Sequence, residues 1–481
     1  MRRATTLALS GMPISIGFTR PDGKLYGYTK QSSGSYLADA DVSHKLARLV
    51  NGSGGTTGWQ LISADGNDVE TYDSSGRLTL LSHPNGLIEA FVYDVSNRLA
   101  SVTDTFGRTL TLAYEGANRL TTLMQPDGGI VSFNYDAANN LSTVTWPDGK
   151  LRAFLYEDGS FPNNLTGILD ENGTRYATWA YDSQGRAISS QHAGGADLTT
   201  LTYNSGNTVV TDALGTSRTK TLATVLNVVR GTGSSQPGGS GCGPASSALG
   251  YDANGNISSR TDFNGNQTCY GYDTARNLET KRVEGLAASA VCSTALASPP
   301  APTTANPVRT VSTQWHSYWR LPVKVAEPLK LTTWVYNGDT YNGSVVTCAP
   351  AGATVPSING GTQPIGVLCQ KIEQATTDAS GSAGFGATAT GTPRTWTYTY
   401  NPYGQILTAD GPRTDVADVT TYTYYADNDP SLGKRGNVAT ITNALGHVTG
   451  ITAYDANGRP LTISDPNGTV TTLVYDPRGR L

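Results

Sequence analysis

Apolar and polar residues alternate with a period of two along most of this chain, in runs of about 5–7 residues separated by tight turns. The run that leads into each turn shows it best. Phe91 stands two before Tyr93, Leu112 before Tyr114, Phe133 before Tyr135 and Phe154 before Tyr156. The same spacing returns in Trp179 and Tyr181, Leu201 and Tyr203, Tyr270 and Tyr272, Tyr398 and Tyr400, Tyr422 and Tyr424, and Leu473 and Tyr475. Residues two apart in a strand share a face, so these pairs predict rows of large side chains down one side of a sheet. Thr, Val and Tyr dominate the runs, and the spacing is not the three-to-four of a helix.

The runs recur. Tyr72, Tyr93, Tyr114, Tyr135 and Tyr156 stand 21 residues apart, as do Tyr251 and Tyr272, and Tyr454 and Tyr475. In the clearest unit, Tyr93-Asp94-Val95-Ser96-Asn97-Arg98-Leu99 is a turn leading into a strand from Leu99 to Thr103. Asp104-Thr105-Phe106-Gly107 is the second turn, and Thr109 to Tyr114 the returning strand. Asp and Asn cap such turns with their side chains, while Gly or Asn accepts the positive φ they require. Self-similarity at this period marks an array whose units cannot bury their own apolar faces. Two such units would make one four-stranded propeller blade, yet nothing in the sequence marks every second hairpin as a blade edge. The expected fold is all-β: tandem β-hairpins of about 21 residues stacked into a coiled antiparallel sheet.

The array has interruptions. The expected organisation is degenerate repeats over 1–59, a repeat array over 60–230, a Gly/Ser-rich loop over 231–250, and repeats again over 251–284. An insertion with Pro/Ala/Gly-rich loops and short strands follows over 285–395, then a second array over 396–481 that stops inside a unit. Within the insertion, Thr313 to Glu327 and Lys330 to Tyr336 still read as strands, and the loops read as tolerated surface additions.

Composition removes several function classes. Of 481 residues only 15% are charged, and the formal net charge is −4 with no basic run, which excludes a phosphate-neutralising nucleic-acid binder. The 25 Tyr, 8 Phe and 7 Trp argue against a disordered chain. No stretch approaches the roughly 20 apolar residues of a membrane-spanning helix, and the first ten residues make no convincing signal peptide. His44, His83, His192, His316 and His447 are scattered and read as structural. The repeated Asp at one turn position, from Asp73 and Asp94 to Asp455 and Asp476, speaks of turn geometry rather than acid–base pairs. Calcium, zinc and phosphate-loop spacings are missing, so no catalytic, metal or cofactor site is expected and the chain does not read as an enzyme. Five cysteines leave at least one thiol unpaired. Cys348 with Cys369 is the first expected disulfide and Cys242 with Cys269 the second, a weak hint of an exported protein.

The unit Tyr-Asp-x-x-Gly-Arg-Leu, seen in Tyr72-Asp73-Ser74-Ser75-Gly76-Arg77-Leu78 and nearly repeated at Tyr181, Tyr251 and Tyr454, resembles the YD repeat of Rhs proteins. The same repeat occurs in the C component of insecticidal Tc toxin complexes and in teneurins. The resemblance covers most of 60–285 and 395–481. It implies a spiral sheet enclosing a hollow chamber, which in bacterial members holds a C-terminal toxic polypeptide released by self-cleavage. The Asp-Pro-x-Gly-Leu-type core segment of that cleavage is not found here, nor is a toxin tail. The partners implied are therefore a toxin cargo absent from this chain and a secretion machinery, with a secreted or cell-surface location. Because YD repeats have been linked to carbohydrate binding, the alternative is a surface adhesin whose aromatic rows stack on glycan. The fixed position of those aromatics favours packing between hairpins instead.

Overall fold

A computed structural model describes residues 3–9, 12–20, 25–64, 66–358 and 361–481. Strands dominate it, and among the described residues no helix is long and apolar enough to cross a membrane. One antiparallel ladder runs through nearly the whole chain. It starts with Lys45–Val50 paired to Thr56–Ile62 and ends with Pro460–Ser464 paired to Val470–Thr472. Between them each ladder strand pairs with the next ladder strand along the chain, as hairpins joined by tight turns do, and two small hairpins are passed over between Lys330–Tyr336 and Leu368–Thr376. The ladder curls round into a barrel-like wall one sheet thick.

Register follows from the alternation. Phe91 lies opposite Val102 and Val102 opposite Leu110. Leu112 then faces Leu123, Leu123 faces Val131, and Phe133 faces Val144. All these side chains stand on one face. The other carries Ala90, Thr103 and Thr109, then Ala113, Thr122 and Ser132. The apolar face becomes charged further along, where Tyr270 lies opposite Arg282, and Arg282 Nε donates to Glu284 at 2.6 Å.

The stretch 1–59, where degenerate repeats are expected, holds a small sheet and the first strands of the ladder. A separate four-stranded sheet, Arg3–Leu9, Met12–Thr19, Leu25–Lys30 and Tyr36–Ala38, precedes the ladder. It packs on the apolar face where the wall begins: Ile16, Phe18 and Tyr28 bury themselves against Trp59, Leu61, Tyr72 and Leu78. Phe18 meets Tyr72 edge to face at 5.1 Å, and Arg20 Nη1 donates to both Glu70 oxygens at 2.9 Å in a buried ion pair. Tyr72 lies inside this contact and its hydroxyl also donates to Glu70.

The Gly/Ser-rich loop expected over 231–250 is shorter. Strands Val228–Gln236 and Ala245–Tyr251 continue the ladder into the Gly/Ser-rich segment, so the loop shrinks to the residues between them. Ser and Gly pair through their backbones as well as larger residues do, and composition alone overstated the break. The insertion likewise keeps ladder strands Arg309–Trp315, Pro322–Glu327, Lys330–Tyr336 and Leu368–Thr376. Two small hairpins, Thr340–Tyr341 with Ser344–Val345 and Thr354–Pro356 with Thr362–Pro364, stand outside it.

Candidate functional site: the turn lattice of the wall

The repeated turn is a closed hydrogen-bond unit. In Asp94-Val95-Ser96-Asn97-Arg98, Asp94 Oδ1 accepts the backbone N–H groups of Ser96 and Arg98, each at 2.9 Å, and Asn97 takes φ of 61°. Asp94 Oδ2 accepts Arg98 Nε at 2.7 Å. The Arg98 N–H above all holds the Asp94 carboxyl below its usual value. The same pattern holds at Asp73 and Arg77, Asp182 and Arg186, Asp455 and Arg459, and Asp476 and Arg480. Asp104 and Arg108 repeat it at one turn of the opposite rim.

Tyrosine joins one unit to the next. The Tyr93 hydroxyl donates to the Leu78 carbonyl at 3.0 Å, Tyr114 to Leu99 at 2.9 Å, Tyr135 to Leu120 at 3.0 Å and Tyr156 to Leu141 at 3.2 Å. Tyr181, Tyr251, Tyr272 and Tyr454 reach back in the same way to Leu165, Gly231, Ile257 and Val438. Burial pushes the Tyr272 and Tyr454 phenols up to about 12. The turn arginine then lies on the next tyrosine ring: Arg77 on Tyr93 at 5.3 Å, Arg98 on Tyr114 at 4.9 Å, Arg119 on Tyr135 at 4.7 Å and Arg459 on Tyr475 at 5.0 Å. It ends on the asparagine of the following turn, as Arg98 Nη1 does on Asn118 at 3.1 Å. Each such stack contributes about 0.5–1 kcal/mol at exposed sites. With its hydroxyl on a carbonyl and an arginine on its ring, such a tyrosine is a structural rivet.

Where the curled wall meets itself, contact is made turn to turn. Asn457 Nδ2 donates to Asp127 Oδ2 at 2.5 Å across 330 residues, and Arg459 Nη2 lies 3.3 Å from the same carboxylate. The next pair keeps the offset: Arg478 Nε donates to Asp148 Oδ2 at 2.7 Å, again 330 residues away, with Glu171 at 3.3 Å. Phe106 packs edge to face on Tyr403 at 5.5 Å, and the Gly366 N–H donates to the Pro84 carbonyl at 2.7 Å. One turn of the spiral therefore rests on the previous one, rim against rim.

Cys348 and Cys369 form a disulfide, and Cys269 pairs with Cys292. The expected Cys242–Cys269 bridge gives way because helix Cys292–Ala297 packs on the strand that carries Cys269, leaving Cys242 an exposed thiol. Sequence reading also missed a His–Asp pair. His316 Nε2 lies 3.0 Å from Asp339 Oδ1, while His316 Nδ1 accepts the N–H groups of Tyr318 and Trp319 at 3.0 and 2.9 Å. Both ring nitrogens are thus engaged in holding loops, with no lone pair left for a substrate. Among the described residues, no group of three His, Cys, Asp or Glu is placed to hold a metal.

Residues 26–207 match the teneurin YD-shell family and residues 454–481 the RHS repeat family. Those two stretches match repeat families of the YD and RHS type. A comparison with curated proteins found no match. Among solved structures, the chain is similar to the crystal structure of TcdB2-TccC3-Cdc42 at 14% identity, covering 98% of this chain and 26% of that one, with a TM-score of 0.43. It is also similar to the Photorhabdus luminescens Tc holotoxin pore at 12% identity, covering 98% and 29%, with a TM-score of 0.27. The chain thus spans between a quarter and a third of those structures' chains. Within the matched stretch 26–207, the lattice of Asp, Arg and Tyr is how this chain joins one hairpin to the next.

Proposed function

We propose that the chain is a wall segment of a hollow shell that encloses a polypeptide, with its apolar face turned inward and no catalytic role of its own. The observation that carries this reading is the rim-to-rim seating of Asn457 on Asp127 and of Arg478 on Asp148. A sheet that coils onto itself removes long open strand edges and separates an inside from an outside. The row of Phe91, Val102, Leu110, Leu123 and Val131 offers an unfolded cargo apolar contact, as the family resemblance implies for a toxin. Two disulfides fit a shell exported through an oxidising compartment. The test is protease protection of a polypeptide expressed as the carboxy-terminal continuation of the repeats. Protection by the folded wall is the expected result, and equal digestion with and without it refutes encapsulation. Glycan stacking on the tyrosine rows finds no favouring observation, since arginines occupy several of those rings.

A further inference from the structure

A cavity of about 890 Å³ lies at the start of the wall, where three separate parts of the chain converge: the loop after the four-stranded sheet, the turn at 273–277, and the segment at 318–320. Its volume falls in the usual range of small-molecule sites. Lys45, Arg276 and Arg320 all line it, and Asp39 is the one carboxylate among its described lining residues. Arg276 is fixed in place, its Nη atoms donating to the His316 and Trp319 carbonyls at 2.8 and 2.9 Å. Its Nε is buried with no hydrogen-bond partner. Arg320 Nη2 donates to the Asn277 carbonyl at 3.2 Å. Lys45 Nζ lies 5.7 Å from the centre of the Tyr318 ring. Among the described residues, neither Lys45 nor Arg276 has a carboxylate partner. Partial burial, and then the two neighbouring guanidinium groups, hold Lys45 below its ordinary value.

Lys45 and Arg276 at one cavity repel each other, and the backbone carbonyls that orient Arg276 do not neutralise it. An anion placed among them relieves that repulsion and meets charge-assisted donors. Tyr36 and Tyr318 supply aromatic walls. We propose that this cavity binds a small ligand through an oxyanion, phosphate or carboxylate, held by Lys45 and Arg276. The bound anion would tie the first ladder strand, through Lys45, to the turn at 273–277.

Calorimetric titration of the full chain with inorganic phosphate, and separately with acetate, tests the site. Saturable binding of either anion is expected, weakened about tenfold or more in Lys45→Gln. Lys150→Gln, on a distant turn, is expected to bind like the parent. No saturable binding of either anion overturns the proposal, as does binding that Lys45→Gln leaves intact. A second readout needs no variant: the anion that binds should slow chemical acetylation of Lys45 relative to Lys150. Unchanged relative rates overturn it equally.

Discussion

Neighbouring hairpins and neighbouring coils of this wall are held together in different ways. Within a coil, every ladder strand shares backbone hydrogen bonds with the next, and several turns add an Asp–Arg–Tyr rivet such as Asp94, Arg98 and Tyr114. Between coils the wall rests on side chains and isolated backbone contacts: Asn457 on Asp127, Arg478 on Asp148, Phe106 beside Tyr403. The first kind of bond is obligatory, because an unmet backbone group costs about as much as a lost hydrogen bond. The second is optional and depends on the charge and shape of a few turns. The shell is therefore strong along its ladder and weaker across its seam.

A proline in the ladder breaks the stronger of the two. Val144→Pro removes a ladder hydrogen bond from a strand paired on both sides, and is expected to cost about 3 kcal/mol or more. Loss of amide protection in several neighbouring hairpins, read by hydrogen exchange, checks it. Damage confined to one turn would contradict the cooperative ladder. Gly436→Ala attacks the seam. Gly436 has φ of 66°, and a Cβ there would run into the Phe106 ring of the previous coil. A loss of about 2–3 kcal/mol is expected by thermal denaturation. Ladder amides should stay protected while those of 104–108 and 425–437 open.

Tyr114→Phe removes a single rivet's hydrogen bond to Leu99 and is expected to cost about 1 kcal/mol. A thermal melt of Arg98→Lys should show a comparable loss, since lysine does not reproduce the planar stack and fork. If both variants match the parent, the rivet carries no stability. The smallest effect comes from the solvent. Hydrogen bonds hold Asp94, Asp136 and Asp182 below the ordinary value of 3.8, led by the Arg98 N–H, the Asn140 side chain and the Arg186 side chain respectively. A carboxylate held low stabilises the fold above its unfolded pKa, and that contribution is lost as pH falls through the folded value. Acid should therefore loosen turns progressively below about pH 4. At neutral pH, 1 M salt should weaken the seam pairs by up to about 1 kcal/mol and leave strand pairing unchanged. Seam amides that exchange no faster in high salt would show that charge does not hold the coils together.

Much of the ladder was readable because its physics is local. The alternation of Phe91 and Tyr93 names a face, and the period of 21 residues names the unit. The Asp and Gly or Asn positions of each turn follow from backbone geometry within five residues. The arginine's part was less visible. Arg77, Arg98 and Arg119 stand in the motif, but their seat on the next tyrosine appears only when hairpins lie side by side. Cys269 takes Cys292 rather than the expected Cys242 for a related reason. Cys292 sits on a short helix whose return to the strand no periodicity announces.

The sequence alone determined that this chain is a stack of hairpins with one apolar side, because strand alternation and turn chemistry act between near neighbours. Only the tertiary structure decided how far the sheet curls, which turns meet across 330 residues, and that Lys45 and Arg276 share one cavity. Those outcomes sum small twists over many strands, and no single unit of sequence records the sum.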